Sequence, residues 1–108
     1  MNVPYEKAVA IVDKYGIHHQ KVKAAEELSE LQTLLLQDAN CKDKVNIAHI
    51  TEELADVYVV LKQVEAIYFL DDRDIQPYID FKLDRTLGDD RNERWEETAK
   101  DQANIHRR

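Results

Sequence analysis

Apolar positions recur along this chain at helical intervals. Over residues 4–15, Ala8, Ile11, Val12 and Tyr15 fall on one side of a helix. Pro4 suits a first helical turn and Gly16 the position just past the end. A second helix is predicted over residues 17 to about 38, a stretch rich in Ala, Leu, Glu and Gln, with a seam at Ala24, Leu28, Leu31 and Leu35. Residues 39–45 are polar and read as a loop. A third helix is predicted from about 47 to 70, where Ile50, Leu54, Val57, Leu61, Val64 and Tyr68 alternate steps of four and three, as a packed helix does. Residues 71–74 interrupt it. Asp74 then caps a fourth helix, with Pro77 in its first turn, running to about Thr86. The polar tail over 91–108 reads as a fifth helix with one large anchor, Trp95. No stretch alternates apolar and polar residues, so the expected fold is all-α with no sheet.

A chain of 108 residues is one domain's worth. Residues 1–88 are expected to form the helical domain. Residues 89–108 are a C-terminal tail, part of that domain or of a subunit contact. Two Gly and two Pro leave little material for hairpin turns, which favours long helices. A core of this size is only marginally stable alone, so oligomerisation is expected.

The formal net charge of −7 argues against nucleic acid and anionic membrane surfaces, both of which would repel the chain. No apolar run reaches the ~20 residues that span a bilayer, and none resembles a signal peptide. Cys41 is the single cysteine, so no intrachain disulfide can form. These features fit a reducing compartment, and a cytoplasmic location is expected.

The chemistry lies in a local echo. Ala25-Glu26-Glu27-Leu28-Ser29-Glu30 is followed later by Thr51-Glu52-Glu53-Leu54-Ala55-Asp56. Acids at helical spacing are common on solvated faces, so either half alone says little. At 100° per residue, Glu27 lies about 70° to one flank of its seam and Glu30 about 130°. Glu53 and Asp56 lie about 60° and 120° from theirs, on the same hand, while Glu26 and Glu52 point away. Antiparallel packing of the two helices brings flanks of the same hand to one side. Heights match as well. Glu27 and Asp56, like Glu30 and Glu53, are symmetric about the junction of Cys41 and Lys42, the middle of the loop.

Four ionised carboxylates this close repel by about 1 kcal/mol per pair in water. Folding alone would not favour that, whereas a divalent cation reverses the sign. Mg²⁺ or Mn²⁺ suits an all-oxygen donor set, and the lack of Cys or several His argues against zinc. The plainer alternative is two solvated acidic faces that happen to echo.

These residues resemble the signature of MazG-like, all-α nucleoside triphosphate pyrophosphohydrolases, ExxE followed by ExxD. Here the halves are Glu27-Leu28-Ser29-Glu30 and Glu53-Leu54-Ala55-Asp56, with a 22-residue spacer. Ser29 stands where many members have Gly. The likeness covers residues 18 to about 86. It implies a four-helix core, assembly as homodimers or homotetramers, and Mg²⁺-dependent hydrolysis of a nucleoside triphosphate to the monophosphate and pyrophosphate. It also implies phosphate contacts from Lys82 and Arg85, which share a face of the fourth helix. Lys23, one turn before Glu27, is expected either to touch phosphate or to pair with Glu27.

Other residues carry plainer readings. His49 lies one turn before Glu53 and is expected to be an exposed helix-start residue. His18 and His19 have no assigned role. Tyr58, Tyr68 and Phe81 are expected in the core, and Trp95 at a subunit contact or against a base. A non-catalytic interaction module and a degenerate nucleotide-binding protein are the rival functions.

Overall fold

The structure, a computed structural model, describes residues 2–40 and 46–88. Four helices and no strands occur among them, so the fold is all-α: α1 (Tyr5–Tyr15), α2 (Ile17–Asn40), α3 (Ile47–Ile67) and α4 (Asp72–Leu87). The expected loop residues 41–45 and the tail helix with Trp95 lie outside the described residues. No described helix is long and apolar enough to cross a membrane.

The helix ends follow local chemistry. Pro4 precedes α1 in extended geometry, and its carbonyl accepts from the N–H groups of Lys7 and Ala8. Gly16 ends α1 with φ 97°, a conformation that a Cβ disfavours. Asn46 caps α3 by accepting from His49 N–H. That helix stops three residues earlier than the apolar pattern suggests. Phe69 adopts φ 56°, and Leu70 N–H reaches back to Glu65 C=O at 2.8 Å, which closes the last turn. The cap of α4 is Asp71 rather than Asp74. The two form a reciprocal box in which Asp71 accepts from Arg73 N–H and Asp74 accepts from Asp71 N–H.

Two compact units divide the chain at residues 70 and 71. In the first, α3 packs against both α1 and α2, which touch each other more lightly. In the second, the described element is α4, which buries no residue. The first unit's buried apolar residues are Ala8, Val12, Ala24, Val57, Val60, Ala66 and Ile67. They are small or medium-sized, and no large side chain is fully enclosed.

The buried stripes differ from the predicted seams. On α2, Gln20, Ala24 and Glu27 face inward, while Leu28 and Leu35 are exposed. On α3, the inward residues are Glu53, Val57, Val60, Gln63, Ala66 and Ile67, while Leu54, Leu61 and Tyr68 are exposed. Tyr58 and Phe81 are also exposed, against expectation. Relative to the apolar seams, the buried faces are turned toward the acidic flanks, by about 40° on α2 and about 100° on α3. The rotation sets small residues and polar groups at the close contact and leaves the bulky Leu residues outside. It also carries Glu27 and Glu53 from the flank into the interior.

Candidate carboxylate centre

Glu27 and Glu30 project from α2, and Glu53 and Asp56 from α3. One carboxylate oxygen from each of Glu27, Glu30 and Glu53 lies within 4.8 Å of the others. Glu27 is 6% exposed and Glu53 is 8% exposed, whereas Glu30 and Asp56 sit at the solvent edge. The fourth carboxylate joins through Glu27: Asp56 interacts with Glu27, and Glu53 with Glu30, strongly enough to raise the Asp56 and Glu53 carboxyls. These are the two pairings that the echo's symmetry predicts.

The electrostatics record the crowding. Burial holds the Glu53 carboxyl above its ordinary range, and the charges of Glu30, Glu27 and Asp56 push it further the same way. Burial also raises Asp56, reinforced by Glu27 and opposed by Lys23. Two oxygens, Glu27 Oε2 and Glu53 Oε2, are buried without a hydrogen-bond partner. A buried acceptor without a donor is costly, and such groups in folded proteins call for an explanation.

Two basic side chains reach the outer oxygens. Lys23 Nζ stands 3.3 Å from Glu27 Oε1, and the contact holds the ammonium above its ordinary range. His49 Nε2 stands 3.8 Å from Glu53 Oε1. His49 is exposed at the start of α3, as expected, yet it also leans on the cluster. Lys82 and Arg85 lie one turn apart on α4, in the second unit, and both are exposed. Arg85 rests its guanidinium 5.5 Å from the Phe81 ring. Glu26 and Glu52 are exposed, consistent with their expected outward direction.

No protein-family model, no curated protein and no solved structure matches this chain. Its functional reading therefore rests on its own residues.

The donor set suits a hard divalent cation. All the converging atoms are carboxylate oxygens, which Mg²⁺ and Mn²⁺ prefer. The two partnerless oxygens are acceptors that a positive partner would satisfy.

Sequence reasoning missed one feature. Gln20 Nε2 donates to Gln63 Oε1 at 2.6 Å across α2 and α3. Both amides are buried, at 4% and 2% exposure. His19, given no role from sequence, donates from Nδ1 to Gln20 Oε1 at 2.7 Å and stacks on Tyr15. The signal was present: Gln20 and Gln63 are symmetric about the same Cys41–Lys42 junction as the carboxylate pairs.

Proposed function

We propose that this chain is a Mg²⁺-dependent nucleoside triphosphate pyrophosphohydrolase of MazG-like type, releasing a nucleoside monophosphate and pyrophosphate. The observation that carries the reading is the pair of buried, partnerless oxygens on Glu27 and Glu53, set within a four-carboxylate cluster. Such a cluster is unfavourable on its own and becomes favourable with a divalent cation.

Glu27, Glu30, Glu53 and Asp56 would hold the cation, with Mn²⁺ as a substitute for Mg²⁺. When bound, the cation screens the phosphates and polarises the phosphorus under attack. An acidic surface repels a triphosphate, so the residues that approach it directly must be basic. Lys82 and Arg85 are assigned to the phosphates, and Lys23 either joins them or only pairs with Glu27. A carboxylate of the cluster, or Glu26 beside it, orients the attacking water and accepts its proton.

The exposed Leu54, Tyr58 and Leu61 on α3 support assembly as a homodimer or homotetramer. The same surface supports the rival reading of a non-catalytic interaction module. One assay separates them. The protein is incubated with a panel of NTPs and dNTPs plus Mg²⁺, and monophosphate and pyrophosphate are quantified. Release of both products is expected for at least one nucleotide. No release with any nucleotide would remove the enzyme, and orthophosphate with a diphosphate would place the cut at the wrong bond. Glu53→Gln should abolish turnover and keep the helical spectrum.

A further inference from the structure

We infer that Gln20 and Gln63 are positioning residues that hold α2 and α3 in the register at which the four carboxylates meet. The inference rests on the cation-binding reading of the cluster.

These two amides are the buried uncharged polar side chains among the described residues. On each helix, seven residues separate the Gln pair from the Glu27–Asp56 pair, which is two turns, or about 10.5 Å. Ala24, Val57 and Val60 make up the buried apolar surface of this stretch. Side chains this small interlock weakly and would tolerate a slide or a roll of one helix on the other. The cluster itself favours such a slide, because it would separate like charges. The amides oppose it. A shift of one residue moves Gln63 off Gln20 and leaves a buried N–H and C=O without partners. His19 occupies Gln20 Oε1, so the amide is oriented with its N–H toward Gln63. A single buried polar pair in an apolar helix contact is a known way to specify register.

Stability alone does not require this pair. Replacing both partners of a buried hydrogen bond by apolar groups of similar shape is near neutral or stabilising. What would be lost is register, and that separates a positioning role from a merely structural one. The experiment compares the full chain with the Gln20→Leu/Gln63→Leu double variant, and with Gln20→Met/Gln63→Met as a closer match in length. Nitroxide labels are placed at Gln32 and Glu52, both exposed, in a Cys41→Ser background. Their separation is measured by pulsed dipolar spectroscopy without any cation. Binding of Mn²⁺ alone is measured by calorimetry.

The double variants should keep their helicity and Tm, broaden the label distance, and bind Mn²⁺ about 10–100-fold more weakly. An unchanged, narrow distance overturns the inference, and so does unaltered Mn²⁺ affinity. If the unmodified protein binds no Mn²⁺, the cation reading itself fails, and the cation-free distance still decides the role of the amides.

Discussion

Neutralising Glu27 should stabilise the protein without cation and destroy its response to cation. Glu27→Gln keeps the shape of the side chain and removes one charge. The oxygens of Glu27, Glu30 and Glu53 lie within 4.8 Å of one another. Like charges at that separation repel by about 0.9 kcal/mol in water, and by more as water is excluded. Two such neighbours give about 1.8 kcal/mol, before Asp56 is added. The opposing attraction is the contact with Lys23 at 3.3 Å, and that lysine is half exposed, so it offsets only part. The new amide also brings an N–H to a cluster in which Glu53 Oε2 is buried without a donor. A net gain of about 1–2 kcal/mol follows for the cation-free variant, or about 4–8 °C in Tm for each kcal/mol. Excess Mg²⁺, at a hundred times its Kd, should add about 2.7 kcal/mol to the unmodified protein and much less to the variant. Thermal unfolding followed by far-UV circular dichroism, with EDTA or with Mg²⁺, reads both effects. A variant less stable than the unmodified protein in EDTA would refute the argument that the acids repel. An undiminished response to Mg²⁺ would refute Glu27 as a ligand.

Three further outcomes are expected. Glu53 and Asp56 are held above their ordinary range, so the folded chain keeps protons that the unfolded chain has released. Their effect on stability is therefore most favourable below the unfolded values, near pH 4, and is lost as pH rises through the raised folded values. Cation-free Tm should fall as pH rises above the ordinary carboxylate range, and excess Mg²⁺ should flatten that slope; a cation-free Tm that climbs instead would contradict the assignment. Phe69→Gly should raise Tm, because a bulky residue at φ 56° costs about 1–2 kcal/mol, partly offset by the freedom of Gly when unfolded, and little packing is lost at 88% exposure. Lys82→Ala combined with Arg85→Ala should lower kcat/KM by about 100-fold with Tm unchanged, since both side chains are exposed, and full activity would remove them from the phosphate site.

The helices were legible because their signals are local. Pro4, Gly16 and the heptad-like spacing of α3 depend on backbone preferences and period alone. The carboxylate pairings were legible because an antiparallel hairpin turns residue numbers into heights. What escaped was the choice of buried face. Periodicity treats Leu54 and Leu61 as inward because they are the most apolar residues of α3, yet both are about 40% exposed. Apolar area is not the only term in a helix contact. Ala24, Val57 and Val60 permit a close approach that Leu28 and Leu61 would block, and the Gln20–Gln63 bond rewards it. The α3 end was misplaced for a related reason. Phe69 and Leu70 continue the apolar pattern, but the closing hydrogen bond from Leu70 to Glu65 overrides it.

That choice of face bears directly on chemistry. With the apolar seams buried, Glu27 and Glu53 would stand on a wet flank, where water satisfies every oxygen and a cation gains little. With the helices turned toward those flanks, the same residues lose water and leave two oxygens without donors. Local pattern and observed packing disagree along the stretch that carries the acids and the Gln pair, where Leu28, Leu54 and Leu61 are exposed. Disagreement between levels is expected where function, rather than stability, selects the residues. The leucines left outside are the other half of the same exchange. The fold places acids where a core would place Leu, and Leu54, Tyr58 and Leu61 are left exposed on α3.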